Sequence, residues 1–204
     1  MDRTSLMERQ FEVQARIVQD EGQDSQEMWV EGYAVRFNSP TVLFEYDGIE
    51  YKEQVANDAF SEARMDDVIF NYNHAGRVFA RTRNRTLQLT VDAQGLFIRA
   101  RLDGTAEGRT LYDDIKNGFV DRMSFRFTVA KESYENDKRL WTVERIKKLY
   151  DVAAVDIPAY DDTSIEARKA FALEADAQEQ KRKADAELAK QKLKLKLGLL
   201  LKIP

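Results

Sequence analysis

Leu87-Gln88-Leu89-Thr90-Val91-Asp92-Ala93-Gln94-Gly95-Leu96-Phe97-Ile98-Arg99-Ala100-Arg101-Leu102 decides the fold class. Leu87, Leu89 and Val91 alternate with other residues, and Asp92 to Gly95 supplies turn chemistry. Leu96, Ile98, Ala100 and Leu102 then alternate back. A period of two on both sides of a glycine-containing turn predicts an antiparallel hairpin with one buried face.

The same period recurs upstream. Phe11, Val13, Ala15 and Ile17 predict a half-buried strand over 9–18. Met28 to Phe37 reads as a second strand, stopped at Asn38-Ser39-Pro40 because proline cannot continue a ladder. Tyr46-Asp47-Gly48-Ile49 carries the Asp-Gly signal of another hairpin. Asn57 reads as the N-cap of a short helix that turns Phe60 and Ala63 inward before Met65. Val68-Ile69-Phe70 is a short buried strand ending at the polar corner Asn71-Tyr72-Asn73-His74.

Downstream, Leu111, Ile115 and Phe119 fall at helical spacing, with Gly118 where a C-terminal cap belongs. Met123, Phe125, Phe127 and Val129 then line one face of a strand, Glu135-Asn136-Asp137 turns the chain, and Leu140 to Ile146 returns. Leu149 to Ile157 is apolar on both faces and belongs at the centre of a barrel or sheet, closed by Pro158. Seven or eight short strands with two interspersed helices predict a β-rich α+β fold, a barrel or sandwich with helical insertions.

From about Thr163 the composition shifts to Ala, Glu, Lys, Gln and Leu, which predicts a long helix. We therefore expect a domain over residues 1–170 and a helical tail over 171–204. From Lys181 on there are eight Lys or Arg against two Asp or Glu, so the tail is basic. It reads equally as a solvated helix with an apolar end or as a docking segment for a partner.

Composition removes several classes of function. With no cysteine there are no disulfides, thiolate nucleophiles or cysteine–zinc sites. One histidine and no acidic cluster at ligand spacing argue against a metal, and no cofactor is expected. The opening Met1-Asp2-Arg3-Thr4-Ser5 lacks an apolar signal, and no segment reaches the ~20 apolar residues of a membrane span. The expectation is a soluble intracellular protein without a membrane or nucleic-acid partner, the net charge being −4.

His74 is the sole histidine of the chain, and alone it reads as an ordinary packed imidazole. Asp121-Arg122-Met123-Ser124-Phe125-Arg126-Phe127 changes that reading. There the strand period presents Ser124 on the face opposite the core. Serine needs a base to take its proton as it attacks, and histidine suits that task. The base works best when its far nitrogen donates to a fixed acceptor. Two carboxylates lie in the apolar strand that follows. By simple alternation, Asp151 shares a face with Leu149, Ala153 and Val155, and Asp156 with Tyr150, Val152 and Ala154. Either is an orienter for the imidazole, and Asp156 reads alternatively as a cap on the turn at Ile157-Pro158.

These residues carry a family resemblance. Phe70-Asn71-Tyr72-Asn73-His74, the hairpin at Gly95-Leu96 and the passage from Leu111 to Phe127 resemble the tailed-phage prohead proteases. So do Tyr150-Asp151-Val152-Ala153-Ala154-Val155 with Pro158-Ala159-Tyr160, and Gly32-Tyr33-Ala34 with Glu53 and Ala59-Phe60. The resemblance spans about residues 8 to 168 and leaves the tail unmatched. It implies a serine endopeptidase that trims scaffold and major capsid protein segments inside a new shell and then digests itself, acting in the host cytoplasm within the assembling prohead. It implies a fold related to the herpesvirus assemblins, a β-barrel with surrounding helices. The family histidine falls on His74, the serine on Ser124, and the third position, usually glutamate, on Asp151. Arg126 stands where the family often has glycine, and Arg126, Arg122 and Arg81 are candidates for an oxyanion-stabilising arginine of the assemblin type. The rival reading is a non-catalytic capsid assembly or scaffolding module with the same barrel.

Overall fold

The computed structural model describes residues 7–11, 16–17, 27–156 and 162–200. In chain order they form β1 (Met7–Phe11), β2 (Arg16–Ile17), β3 (Trp29–Arg36), β4 (Thr41–Tyr46), β5 (Ile49–Val55), β6 (Ile69–Tyr72) and β7 (Ala75–Arg81). There follow β8 (Leu87–Val91), β9 (Gly95–Arg101), α1 (Ala106–Lys116), β10 (Arg122–Glu135), β11 (Leu140–Val155) and α2 (Asp162–Leu200).

The hairpin that decides the fold class forms with Val91 opposite Leu96 and Leu87 opposite Ala100. Asp92 holds its turn by accepting from the backbone N–H of Gln94 and Gly95. Gly95 has a packing reason, since a Cβ there would fall 1.9 Å from the Val35 carbonyl oxygen on β3. The hairpin therefore joins β3 tightly and makes a four-stranded sheet in the order β2-β3-β9-β8.

The second sheet has seven strands and is organised by β11. β10 runs antiparallel along nearly its whole length, and β1 pairs antiparallel with β10. On its other side β11 is parallel to β5 over Leu140–Val143 and to β6 over Asp151–Ala154. One strand with apolar residues on both faces thus bridges two half-sheets, as expected for the central position. Val30, Ala34, Ile98 and Ala100 from the small sheet meet Phe70, Met123, Phe125, Phe127 and Val152 from the large one in a single core. Phe125 and Phe127 stack with ring centroids 4.6 Å apart, both fully buried.

The expected barrel is corrected: the sheets remain open. Among the described residues β8 pairs only with β9, β4 only with β5 and β7 only with β6, so no ladder closes either sheet on itself. The short helix expected at Asn57 is a run of turns, held by i→i−3 hydrogen bonds such as Ala59 to Ala56 and Ala63 to Phe60. Its apolar residues still reach the core, with Ala59 and Phe60 buried. The strand expected over 9–18 is divided between the two sheets, β1 in one and β2 in the other, and residues 12–15 lie outside the described residues. Leu111 and Ile115 of α1 are buried, but Phe119 lies past the Gly118 turn and is 75% exposed.

α2 is a single helix of 39 residues. Ala172 packs with Leu43, Tyr51 and Trp141. The Tyr51 hydroxyl donates to Asp176 at 2.7 Å, and the Arg139 guanidinium lies 3.3 Å from the same carboxylate. No described helix is long and apolar enough to cross a membrane.

Candidate active site

The histidine is placed by a turn. Tyr72 pairs with Ala75, so Asn73 and His74 are the two connecting residues between β6 and β7, at φ 51° and 54°. Two central residues at positive φ form the mirror-image turn whose twist matches that of its strands. Asparagine tolerates that region and histidine does so at some cost. Three hydrogen bonds hold it there. Asn73 N–H donates to Ala154 O at 2.9 Å, Asp156 N–H donates to Asn73 Oδ1 at 3.3 Å, and Arg126 Nη1 donates to His74 O at 3.2 Å.

The serine is placed by strand period. Met123, Phe125, Phe127 and Val129 of β10 enter the core, so Ser124, Arg126 and Thr128 face the other side. Ser124 lies opposite Ala153 on β11, and Asn71 of β6 lies opposite Ala153 from the other side. Asp151, two residues before Ala153, shares that outer face. The methyl group of Ala153 leaves room for a ring between the serine and the acid.

His74 occupies it. Its Nδ1 is 2.5 Å from Asp151 Oδ1 and its Nε2 is 2.6 Å from Ser124 Oγ. An ionised carboxylate only accepts, so Nδ1–H donates to Asp151 and Nε2 is left to accept the serine proton. The residues are buried: Ser124 at 0%, Asp151 at 4% and His74 at 7% exposure. In such surroundings neighbouring charges interact more strongly than in water.

Asp156 does a different job. It accepts from the Tyr72 hydroxyl at 2.7 Å and so braces the strand that leads into the histidine turn. That hydrogen bond, with burial second, pushes the Tyr72 phenol above its ordinary pKa. Ile157 and Pro158, where a cap was expected, lie outside the described residues. Of the arginines considered for an oxyanion, Arg81 makes a two-pronged contact with Asp67 at 2.7 and 2.8 Å. Arg122 lies 3.8 Å from Asp121. Arg126 Nη1 lies 3.7 Å from Asp151 Oδ2. Sequence reasoning did not anticipate that contact, although the period of two already placed Arg126 on the serine's face.

An acid, an imidazole and a hydroxyl in consecutive contact match an arrangement that recurs among serine hydrolases on unrelated folds. The family is narrower. Residues 12–179 match the model of the caudovirus prohead serine proteases, and the chain belongs to that family. Its fold is similar to that of the capsid assembly protease gp21 of bacteriophage T4, with a TM-score of 0.52 and 15% identity, over 75% of this chain and 98% of that one. No curated protein matches the chain.

Proposed function

We propose that this protein is a serine endopeptidase that cleaves scaffold and major capsid protein segments within the assembling prohead, and that it processes itself. Ser124 attacks the peptide carbonyl while His74 Nε2 takes its proton. The imidazolium is stabilised by Asp151 and returns the proton to the leaving amine, giving an acyl-enzyme that water then hydrolyses with the same base. The observation that supports this reading is the double contact of the sole histidine, acid at one nitrogen and serine at the other.

Ser124 has no exposed surface in this form. We take acylation to require an opening of the site. Residues 171–204 are proposed as a tail distinct from the protease domain over 1–170, resting on it through Ala172 and Asp176. The test is an active-site label. A fluorophosphonate should modify the full chain at Ser124, and Ser124→Ala should abolish both labelling and cleavage of a capsid-protein segment. Unlabelled wild-type protein that also leaves such a segment intact would favour the non-catalytic assembly module.

A further inference from the structure

We infer that Arg126 is a positioning residue that ties the Asp151 carboxylate and the His74 turn into one unit. The inference rests on the triad reading above and assigns a residue to it. Arg126 follows Ser124 by two positions, shares its face, and stands directly opposite Asp151 in the ladder. Its Nη1 lies at ion-pair distance, 3.7 Å, from Asp151 Oδ2 and donates to His74 O at 3.2 Å. The first is the carboxylate oxygen other than the one on His74 Nδ1. The second belongs to a backbone held at positive φ.

Each acceptor needs what a guanidinium supplies. A carboxylate 4% exposed is costly to bury unless both oxygens have partners, and the imidazole occupies one of them. A non-glycine residue in the left-handed region is held by its surroundings, and a charged donor on its carbonyl is among the stronger restraints. The two acceptors are the two ends of the acid–imidazole contact. Fixing both from the nucleophile's own strand sets the direction of Nε2 toward Ser124 Oγ. Both contacts run from Nη1, whose place the planar guanidinium fixes, whereas an ammonium is a point charge on a flexible stem. Arg126 therefore acts at the Asp151 end of the relay, by aiming the imidazole.

The sole histidine makes the test direct, because every imidazole signal in a nitrogen-15 spectrum belongs to His74. The full chain, Arg126→Met, Arg126→Gln and Arg126→Lys are compared by imidazole NMR, thermal melting and the rate of fluorophosphonate labelling. Wild type should give one tautomer with a slowly exchanging, strongly deshielded Nδ1–H. Arg126→Met and Arg126→Gln should lose that proton signal or average the tautomers, and should label on the order of 10²-fold more slowly, as for a misaimed reacting group. Arg126→Lys should fall between them and wild type. A folded Met or Gln variant with the wild-type histidine spectrum overturns the inference. If neither folds, Arg126→Lys decides, since unchanged spectrum and labelling there would mean that the rigid guanidinium is not needed and would overturn the inference. Failure of the wild type to label counts against the proposed activity, while its histidine spectrum still reports on the clamp.

Discussion

Asp151 stands opposite Arg126 in the β10–β11 ladder, whereas Leu149, two residues earlier, stands opposite Phe127. β11 therefore carries one residue more than its partner at this point, and the extra residue is Tyr150. Without the bulge Leu149 and Asp151 would face the same way, as simple alternation predicts. With it Leu149 enters the core and Asp151 emerges beside the serine. Deleting Tyr150 should turn one of the two to the wrong face, abolishing peptide cleavage and lowering the melting temperature. Tyr150→Ala keeps the count and should retain most activity. Equal damage from both changes would mean that the side chain, and not the bulge, matters.

Ser124→Ala and His74→Ala should each lower kcat/KM for peptide cleavage by roughly 10⁴ or more, the loss seen when members of such units are removed. Asp151→Asn should also cost heavily, because the amide cannot hold the imidazole in the same tautomer or balance its charge. Asp156→Asn should cost much less, since Asp156 contacts Tyr72 and the Asn73 turn. Steady-state kinetics on one peptide rank the four, and a larger loss for Asp156→Asn than for Asp151→Asn would overturn the assignment of the orienter.

Much of this was legible in the sequence because β-strands write their faces with a period of two. The hairpin at Asp92–Gly95 and the outward aim of Ser124 follow from it, and the turn at Asp47-Gly48 follows from its Asp-Gly pair. What was hidden depends on counts across strands. No local signal in Leu149-Tyr150-Asp151 marks a bulge, so the face of Asp151 relative to Leu149 was misread. Barrel closure is likewise a property of edges: among the described residues β4, β7 and β8 pair only with their sequence neighbours, and nothing in their own residues says whether a second partner joins them. At Asn57 the inward residues Ala59 and Phe60 fit helix and turns equally. Phe119 kept helical spacing, but Gly118 at φ 74° had already ended the helix.

Acid should loosen the fold through carboxylates that the structure holds below their ordinary range. The hydrogen bond from Arg145 does this for Asp58, that from Arg81 for Asp67 and that from Tyr33 for Asp92. A depressed carboxylate contributes its stability in full above its unfolded pKa and loses it as pH falls through the lower folded value. The melting temperature should therefore fall as pH drops below about 4, the ordinary carboxylate range. Each pair is at least partly open to solvent, so each share is small. Asp67→Asn should flatten part of the decline in a circular-dichroism melt series, and an unchanged slope would remove Asp67 from the account.

The tail sets the last expectation. Ala172 is buried against Leu43, Tyr51 and Trp141, Asp176 takes the Tyr51 hydroxyl, and Lys183 reaches Asp137 at 3.5 Å. From Lys181 to Lys192 every residue is exposed. A chain ending at Ala170 would uncover the Tyr51–Trp141 cluster and should melt several degrees lower, at ~2–4 °C per kcal/mol lost for a protein of this size. A chain ending at Lys183 keeps those contacts and should melt like the full protein and still label at Ser124. Exposed segments with few tertiary contacts offer a protease substrate conformations at least cost. Active protein on standing should therefore lose mass from its C-terminal side, with cuts beyond about Lys183, while Ser124→Ala stays whole. Intact-mass spectrometry over time reads this directly. Identical trimming of the Ser124→Ala protein would assign the cuts to another protease, and cuts first appearing before Phe171 would show that the docked part of α2 opens more readily than its contacts imply.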